Sequence, residues 1–304
     1  MTELALDCGA VTDTGLVRDH NEDRYWIDRE RGAFLVVDGV GGRAAGARAA
    51  EVAVAAIREA ITADRTRQTM VCHTTPEARV RAGVAAANNR IYAAAQEDPE
   101  LAGMACVLTL ALVEGEQVTV GHVGVSRLYL IGMVAIRKVT SDHSPVGEAE
   151  DAGELSEAEA MAHPRRNEVF RDVGSCPRSA DEGEFIEVRQ CELPNDAAML
   201  LCSDGLSDHL TSRRIREIAE RYAGDAAETA RDLVDAANQA GGRDNITAVF
   251  VAGPAYRGRS AATRPRLGIT RIRARRRAWR GRVAFLSYGL LLGMLLWAVL
   301  RIRG

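Results

Sequence analysis

The chain of 304 residues lacks several features that define common enzyme and binding classes. It has one lysine, Lys138, and no Walker string surrounds it, which excludes a P-loop nucleotide site. The absence of a Gly-x-Ser-x-Gly string excludes the nucleophile elbow of α/β-hydrolases. None of the six cysteines forms a Cys-x-x-Cys pair, which argues against a zinc site or a disulfide framework. The N-terminus has no basic segment followed by an apolar one, so no signal peptide is predicted.

Acidic residues are missing from the last part of the chain. Residues 254–304 contain 13 arginines and no acidic residue, whereas residues 1–253 contain 42 acidic and 26 basic residues, a net charge of −16. The chain is therefore an acidic body followed by a basic tail. Because an acidic body repels phosphate backbones, we expect no nucleic-acid partner.

One long apolar run lies within the basic tail. Residues 283–300 carry no charge over 18 positions, which as a helix would be about 27 Å long and would just cross a bilayer. We expect a transmembrane helix there, with a buried core helix as the alternative. Residues 254–282 contain 11 arginines and form an Arg-rich juxtamembrane linker, which would stay cytoplasmic and contact anionic membrane lipid. We therefore expect a single-pass C-terminal anchor that holds the protein at the cell membrane, with residues 1–253 cytoplasmic and residues 301–304 beyond the membrane.

The apolar pattern of the acidic body predicts a mixture of strands and helices. Two Ala-rich segments, 46–62 and 77–96, have helical spacing. Strand-like runs precede and follow this pair, and two further helices are predicted before a last strand at 246–252. This order is not the strict alternation that builds a parallel sheet. It predicts an α+β fold with antiparallel sheets and helices packed on the outside.

Four acidic clusters stand at predicted strand ends or turns. They contain Glu22 and Asp23 in RDHNED, Asp38 in VVDGVGG, Asp204 in LLCSDGLSD and Asp244 in GGRDNIT. A single Asp-Gly pair is usually only a turn. Four clusters that converge in space would instead form a site for a hard divalent cation, since Mg²⁺ and Mn²⁺ prefer oxygen ligands.

In their order and spacing, these four strings resemble the bacterial branch of the PPM-type family, the protein phosphatase 2C-like metal-dependent serine/threonine protein phosphatases. The resemblance covers about residues 4–253. It implies an αββα sandwich of two antiparallel β-sheets flanked by helices. It also implies hydrolysis of phosphoserine and phosphothreonine on proteins by a water that bridges two divalent cations, Mn²⁺ or Mg²⁺. The partners would then be phosphorylated proteins, the substrates of a serine/threonine kinase.

The resemblance also implies which residues hold the two metal ions. Asp38 would bridge both ions, and the carbonyl of Gly39 would help to hold one of them. Asp204 and Asp244 would complete the surroundings of the other ion.

Three further residues receive roles from the resemblance. Glu22 and Asp23 would orient waters that are bound to the ions. Arg18 would bind the substrate phosphate, as a guanidinium fork does. The spacing of four between Arg18 and Glu22 also fits an ordinary helical ion pair, which remains an alternative.

The sequence departs from the family in the string GVSR at 124–127. The family has an aspartate in place of Val125, and that aspartate binds a third, weaker metal ion. Because valine cannot ligate a cation, the third metal site is in doubt and we expect reduced turnover. The alternative function is a catalytically weak pseudophosphatase that acts as a membrane-bound phosphoprotein-binding scaffold. The retained Arg18, Asp38, Asp204 and Asp244 favour the enzyme.

Overall fold

A computed structural model describes residues 6–41, 45–67 and 75–259. Within these ranges the chain forms two five-stranded sheets with α-helices against them. The strands are β1 (Asp7–Asp13), β2 (Arg24–Asp28), β3 (Ala33–Val40), β4 (Ala105–Glu114), β5 (Gln117–Val123), β6 (Arg127–Ile131), β7 (Ile136–Lys138), β8 (Glu187–Glu192), β9 (Ala198–Cys202) and β10 (Ile246–Ala252). The helices are α1 (Ala45–Arg67), α2 (Pro76–Glu97), α3 (Pro145–Asp151), α4 (Glu157–Ala162), α5 (Asp204–Ser207), α6 (Ser212–Ala219) and α7 (Ala226–Gln239).

All neighbouring strands in the two sheets run antiparallel. The strand order is β1-β10-β9-β6-β7 in the first sheet and β2-β3-β4-β5-β8 in the second. Short hairpins account for part of this order: β4 and β5 are joined through Gly115 in the left-handed conformation, as the predicted turn requires. The predicted α+β class with antiparallel sheets is confirmed.

The apolar side chains fill three layers, because successive residues of a strand point to opposite faces of a sheet. Phe34 and Val36 of β3 pack against Val249 and Val251 of β10 in the layer between the sheets. The alternate residues of β3 pack with α1 and α2, and those of β10 pack with α6 and α7. Each fully buried side chain of this size contributes about 1.5–3 kcal/mol to stability. The fold therefore has four layers of secondary structure, in the order helices, sheet, sheet, helices, with one apolar layer at each of the three interfaces.

The same alternation places polar residues at one end of the gap between the sheets. Asp38 follows Val36 by two residues, so it continues the face of β3 that meets the other sheet. At the end of β9, Ser203 donates its backbone N–H to the carbonyl of Thr247 at 3.2 Å. Both side chains are buried. This end of the sandwich is where the predicted acidic motifs meet.

The apolar packing continues past the predicted body boundary at residue 253. Tyr256 is buried against Phe250 and Tyr222, with ring centroids 6.2 and 5.3 Å away. Its hydroxyl donates to the carbonyl of Ala219 at 3.2 Å. The first residues of the basic tail thus belong to the folded body.

The predicted membrane anchor lies outside the described residues. None of the helices that the structure describes is long and apolar enough to cross a bilayer. The transmembrane helix at 283–300, the short tail at 301–304 and the linker from residue 260 onwards stay predictions.

Candidate active site

Asp23 lies fully buried at the end of the gap between the sheets. Its Oδ2 accepts hydrogen bonds from the hydroxyls of Ser203 and Thr247, both at 2.7 Å. Its Oδ1 is buried without a hydrogen-bond partner among the described residues. Burial raises the pKa of Asp23 to about 6, and the two hydroxyl donors oppose that rise. Because an unsatisfied buried acceptor is destabilising, Oδ1 fits a bound water or cation shell.

Asp38 and Asp204 come from different sheets and meet beside Asp23. Burial, reinforced by the negative charges of the neighbouring aspartates, holds the pKa of both carboxyls well above the usual range. For Asp38 those neighbours are Asp23, Asp204 and Asp244, and for Asp204 the strongest is Asp208. Carboxylates this close together repel one another, so a divalent cation between them is strongly favoured.

Asp244 reaches this cluster because the residue after Asp204 is a glycine. A Cβ on Gly205 would lie 2.0 Å from the carbonyl oxygen of Asn245 and 3.4 Å from the Cβ of Asp244. A larger residue at 205 would therefore push Asp244 away from Asp204. The turn after β9 and the turn before β10 thus lie close together, which brings the predicted metal ligands Asp204 and Asp244 side by side.

Gly39 and Gly46 form a second close approach on the other side of Asp38. A Cβ on Gly39 would lie 2.1 Å from the carbonyl oxygen of Gly46. A Cβ on Gly46 would lie 2.5 Å from Oε2 of Glu22 and 2.9 Å from the carbonyl oxygen of Gly39. The space above Gly46 is thus flanked by the Gly39 carbonyl and the Glu22 carboxylate, which the family resemblance would place at a metal ion and at its bound water. An oxygen-only donor set suits Mg²⁺ and Mn²⁺.

The loop that carries Arg18 is held by Asn245. The Nδ2 of Asn245 donates to the carbonyls of Thr14 and His20 at 3.0 and 2.9 Å, and its Oδ1 accepts from the backbone N–H of Glu22 at 2.8 Å. This role of Asn245 was not predicted from the sequence, in which the Asp-Asn pair directly before β10 was the available signal.

Arg18 stands at the rim of the acidic cluster. Its Nη2 donates to Oδ2 of Asp244 at 2.8 Å, and 53% of its side chain is exposed. The segment around it is not helical, and its salt-bridge partner is Asp244. The alternative of a helical ion pair with Glu22 is therefore wrong. The position fits a cation that meets an incoming phosphate.

A second group of titratable side chains lies beside the string at 124–127. The potential ligand atoms of His122, His143 and Glu187 lie within 4.8 Å of one another. The Nε2 of His122 donates to the carbonyl of Gly124 at 2.9 Å, and the Nδ1 of His143 accepts from the backbone N–H of Gly124 at 3.0 Å. Arg171 also places its Nη1 3.3 Å from the Nε2 of His143. Because these contacts already use the imidazoles and bring in a positive charge, we assign the group to holding Gly124 in place.

Comparison with known proteins places this architecture in a family. The family model of protein phosphatase 2C matches residues 16–241. The serine/threonine phosphatase stp of Listeria monocytogenes is 34% identical over 247 residues, which cover 79% of this chain and 93% of that protein. The crystal structure of the Mycobacterium tuberculosis phosphatase PstP/Ppp has a TM-score of 0.71 at 31% identity, covering 82% of this chain and 98% of that chain. The catalytic domain of PstP in complex with two manganese ions has a TM-score of 0.68 at 30% identity, with coverage of 81% and 97%.

The chain therefore belongs to the protein phosphatase 2C family. The resemblance noted in the sequence is confirmed, and so is the expected enzyme class, a PPM-type protein serine/threonine phosphatase. The roles of the individual site residues stay predictions, which rest on the convergence described above.

The buried histidine pair predicts a specific dependence of stability on pH. Burial, together with the nearby His122 and Arg171, lowers the pKa of His143 to about 3. An unfolded histidine has a pKa of about 6.5, so between these values the unfolded state binds more protons and stability falls as the pH falls. The free energy of unfolding of the full chain can be measured in urea between pH 6.5 and 4. His143→Asn should make the slope of this free energy against pH shallower by up to about 1.4 kcal/mol per pH unit.

The carbonyl of the introduced asparagine retains an acceptor for Gly124, and the acidic cluster contributes equally to both proteins. His163→Asn, at a partly exposed position, is the matched control and should leave the slope unchanged. An unchanged slope in His143→Asn would contradict the buried neutral state of this imidazole.

Proposed function

We propose that this chain hydrolyses phosphoserine and phosphothreonine on proteins with two divalent cations, Mn²⁺ or Mg²⁺. The observation that carries the proposal is the convergence of Asp23, Asp38, Asp204 and Asp244 at one end of the sandwich. The related PstP catalytic domain, solved with two manganese ions, supports the choice of ions. The named relatives are serine/threonine phosphatases, which supports phosphorylated proteins, the products of a serine/threonine kinase, as substrates.

The family resemblance implies which residues would hold the two ions. Asp38 would bind both, the carbonyl of Gly39 one, and Asp204 with Asp244 the other. When bound, such an ion pair supplies an activated water and neutralises charge on the phosphoryl oxygens.

The remaining residues orient the reactants. Oδ1 of Asp23 is fixed by the two hydroxyl bonds to Oδ2 and is positioned to accept a hydrogen bond from a water in the site. Oε2 of Glu22 lies near the Gly39 carbonyl oxygen, where it would also accept a hydrogen bond from a water in the site. Arg18, half exposed at the rim, provides parallel N–H donors for two oxygens of the substrate phosphate.

Replacing Asp38 tests the two-ion site directly. Asp38→Asn in the full chain should lower kcat for a phosphothreonine peptide and for an aryl phosphate by about a thousandfold at saturating Mn²⁺, since the ion pair is worth several kcal/mol in the transition state. Asp28→Asn is a matched control, because Asp28 lies at the opposite end of the β2–β3 hairpin and pairs with Arg31 at 2.9 Å. The control should retain its turnover.

Persistent Mn²⁺-dependent turnover in Asp38→Asn would contradict the assignment. A folded chain that binds Mn²⁺ but turns over neither substrate would instead favour the phosphoprotein-binding scaffold, for which Val125 is the motivating residue.

We further propose that the basic tail holds the phosphatase at the cytoplasmic face of the cell membrane. The apolar run at 283–300 is long enough to span a bilayer, and the arginines of 254–282 suit anionic lipid headgroups. Substrates would then be phosphorylated proteins near the membrane.

Truncation separates the body from this anchor. The full chain should sediment with membranes and require detergent for release, since high salt would not extract a spanning helix. A chain ending at residue 259, which retains the buried Tyr256, should stay in the supernatant. Release of the full chain by salt alone would contradict the spanning helix. Attraction between the arginines and anionic lipid would then be the remaining explanation for membrane attachment.

A further inference from the structure

A small cavity adjoins the acidic cluster on the side of Val125. It has a volume of about 20 Å³, enough for one water. Its wall includes Val125, Asp204, Ser207, Asp208 and Arg166. The hydroxyl of Ser207 is buried and has no hydrogen-bond partner among the described residues. The cavity is therefore polar on one side and closed by an aliphatic side chain on the other.

The residues around this cavity do not fit the third metal ion that the family resemblance implies. Val125 offers no ligand atom and is 7% exposed. Asp142 is held by Arg127, with Nε 3.0 Å from both carboxylate oxygens and Nη2 2.6 Å from Oδ2. Asp208 receives the Nε of Arg166 at 2.9 Å. Glu150 accepts from Nη2 of Arg127 at 3.0 Å, and the hydroxyl oxygen of Ser144 accepts from the backbone N–H of Gly147 at 2.9 Å. Among the side chains of the wall, a cation could therefore use only Asp204, which the two-ion site already uses, and the hydroxyl of Ser207.

Two guanidinium groups line the cavity, and one of them, Arg127, is paired with Asp142 and Glu150. Arg166 lies in the segment after α4, and its guanidinium reaches the cavity wall through its ion pair with Asp208. About a quarter of its side chain is exposed, so the charge is partly shielded from water. The guanidinium of arginine stays protonated in proteins, and a fixed charge of this kind neutralises nearby carboxylates.

We propose that Arg166 takes the place of a third metal ion in this chain, supplying a fixed positive charge on the cavity wall that also includes Asp204, while Val125 removes the ligand that such an ion needs. This proposal rests on the proposed two-ion phosphatase. It makes Arg166 a positioning residue that keeps Asp204 and the cavity water in place. The enzyme then needs two metal ions only, and raising the metal concentration adds nothing at this position.

Counting bound ions tests the proposal without relying on turnover. Equilibrium dialysis of the full chain against millimolar Mn²⁺ should give two ions for the wild type and for Arg166→Met. Val125→Asp should bind a third ion weakly, because Arg166 competes for the new carboxylate. The double variant Val125→Asp/Arg166→Met should bind that third ion about tenfold more tightly, since one nearby positive charge is gone.

Kinetics supply the second arm. Arg166→Met should lower kcat by about tenfold or more, with little change in KM for an aryl phosphate. Arg166→Lys should lose less, and the double variant should regain turnover at millimolar Mn²⁺. Arg165→Met is the matched control, since the neighbouring Arg165 pairs with Glu168 at the surface and does not line the cavity. It should behave as the wild type.

Three results would overturn the proposal: a third ion in the wild type, equal kcat in Arg166→Met and Arg165→Met, or a double variant that regains neither ion nor turnover. A merely structural role of Arg166 would not produce rescue by a carboxylate at position 125. If neither the wild type nor any variant turns over substrate, the proposed function fails, the comparison of kcat values does not apply, and the ion counts alone decide this proposal.

Discussion

The mutual repulsion of the carboxylates at one end of the sandwich is the constraint on which the site depends. The fold brings three carboxyl groups together, those of Asp23, Asp38 and Asp204. Their pKa values are raised because burial and neighbouring negative charge disfavour the ionised forms. Apolar packing between the sheets holds the strand ends in place against this repulsion. Divalent cations would relieve the repulsion, so metal binding and the geometry of the site are coupled.

The backbone makes this convergence possible at a few positions where a side chain would not fit. Gly205 lets Asp244 lie beside Asp204, and Gly39 with Gly46 leaves the space next to the carboxylate of Glu22. Asn245 then fixes the loop that carries Arg18. The site is thus built from the ends of strands in both sheets, and neither sheet alone contains it.

Much of this arrangement could be predicted from the sequence, because its signals are local. The apolar run before Asp38 is one of the strand-like runs that precede the predicted helix pair, and the motifs around Asp38 and Asp204 marked the strand ends. The helix α3 was missed, although Ser144 caps it and Pro145 stands at its first position. The segment is short and has no long apolar period, so the cap was the only local signal.

Contacts between distant segments could not be predicted, because they depend on which strands pair. Arg18 and Asp244 are 226 positions apart. Ser203 follows β9 of the first sheet and reaches Asp23, which precedes β2 of the second sheet, because the two sheets stack at this end. The ion pair between Arg166 and Asp208 likewise joins two segments that have no shared sequence pattern. The acidic residues of the site could be predicted from the motifs. The hydrogen bonds that support them could be identified only once the fold was known.

Anomalous scattering at the manganese edge, from crystals of the chain ending at residue 259 grown with Mn²⁺, would locate the ions themselves. Two peaks about 3.5–4 Å apart are expected. Asp38 should contact both, with Asp204 and Asp244 at one and the Gly39 carbonyl at the other. No peak should lie beside Val125. A single peak, or a pair located away from Asp38, would contradict the two-ion site.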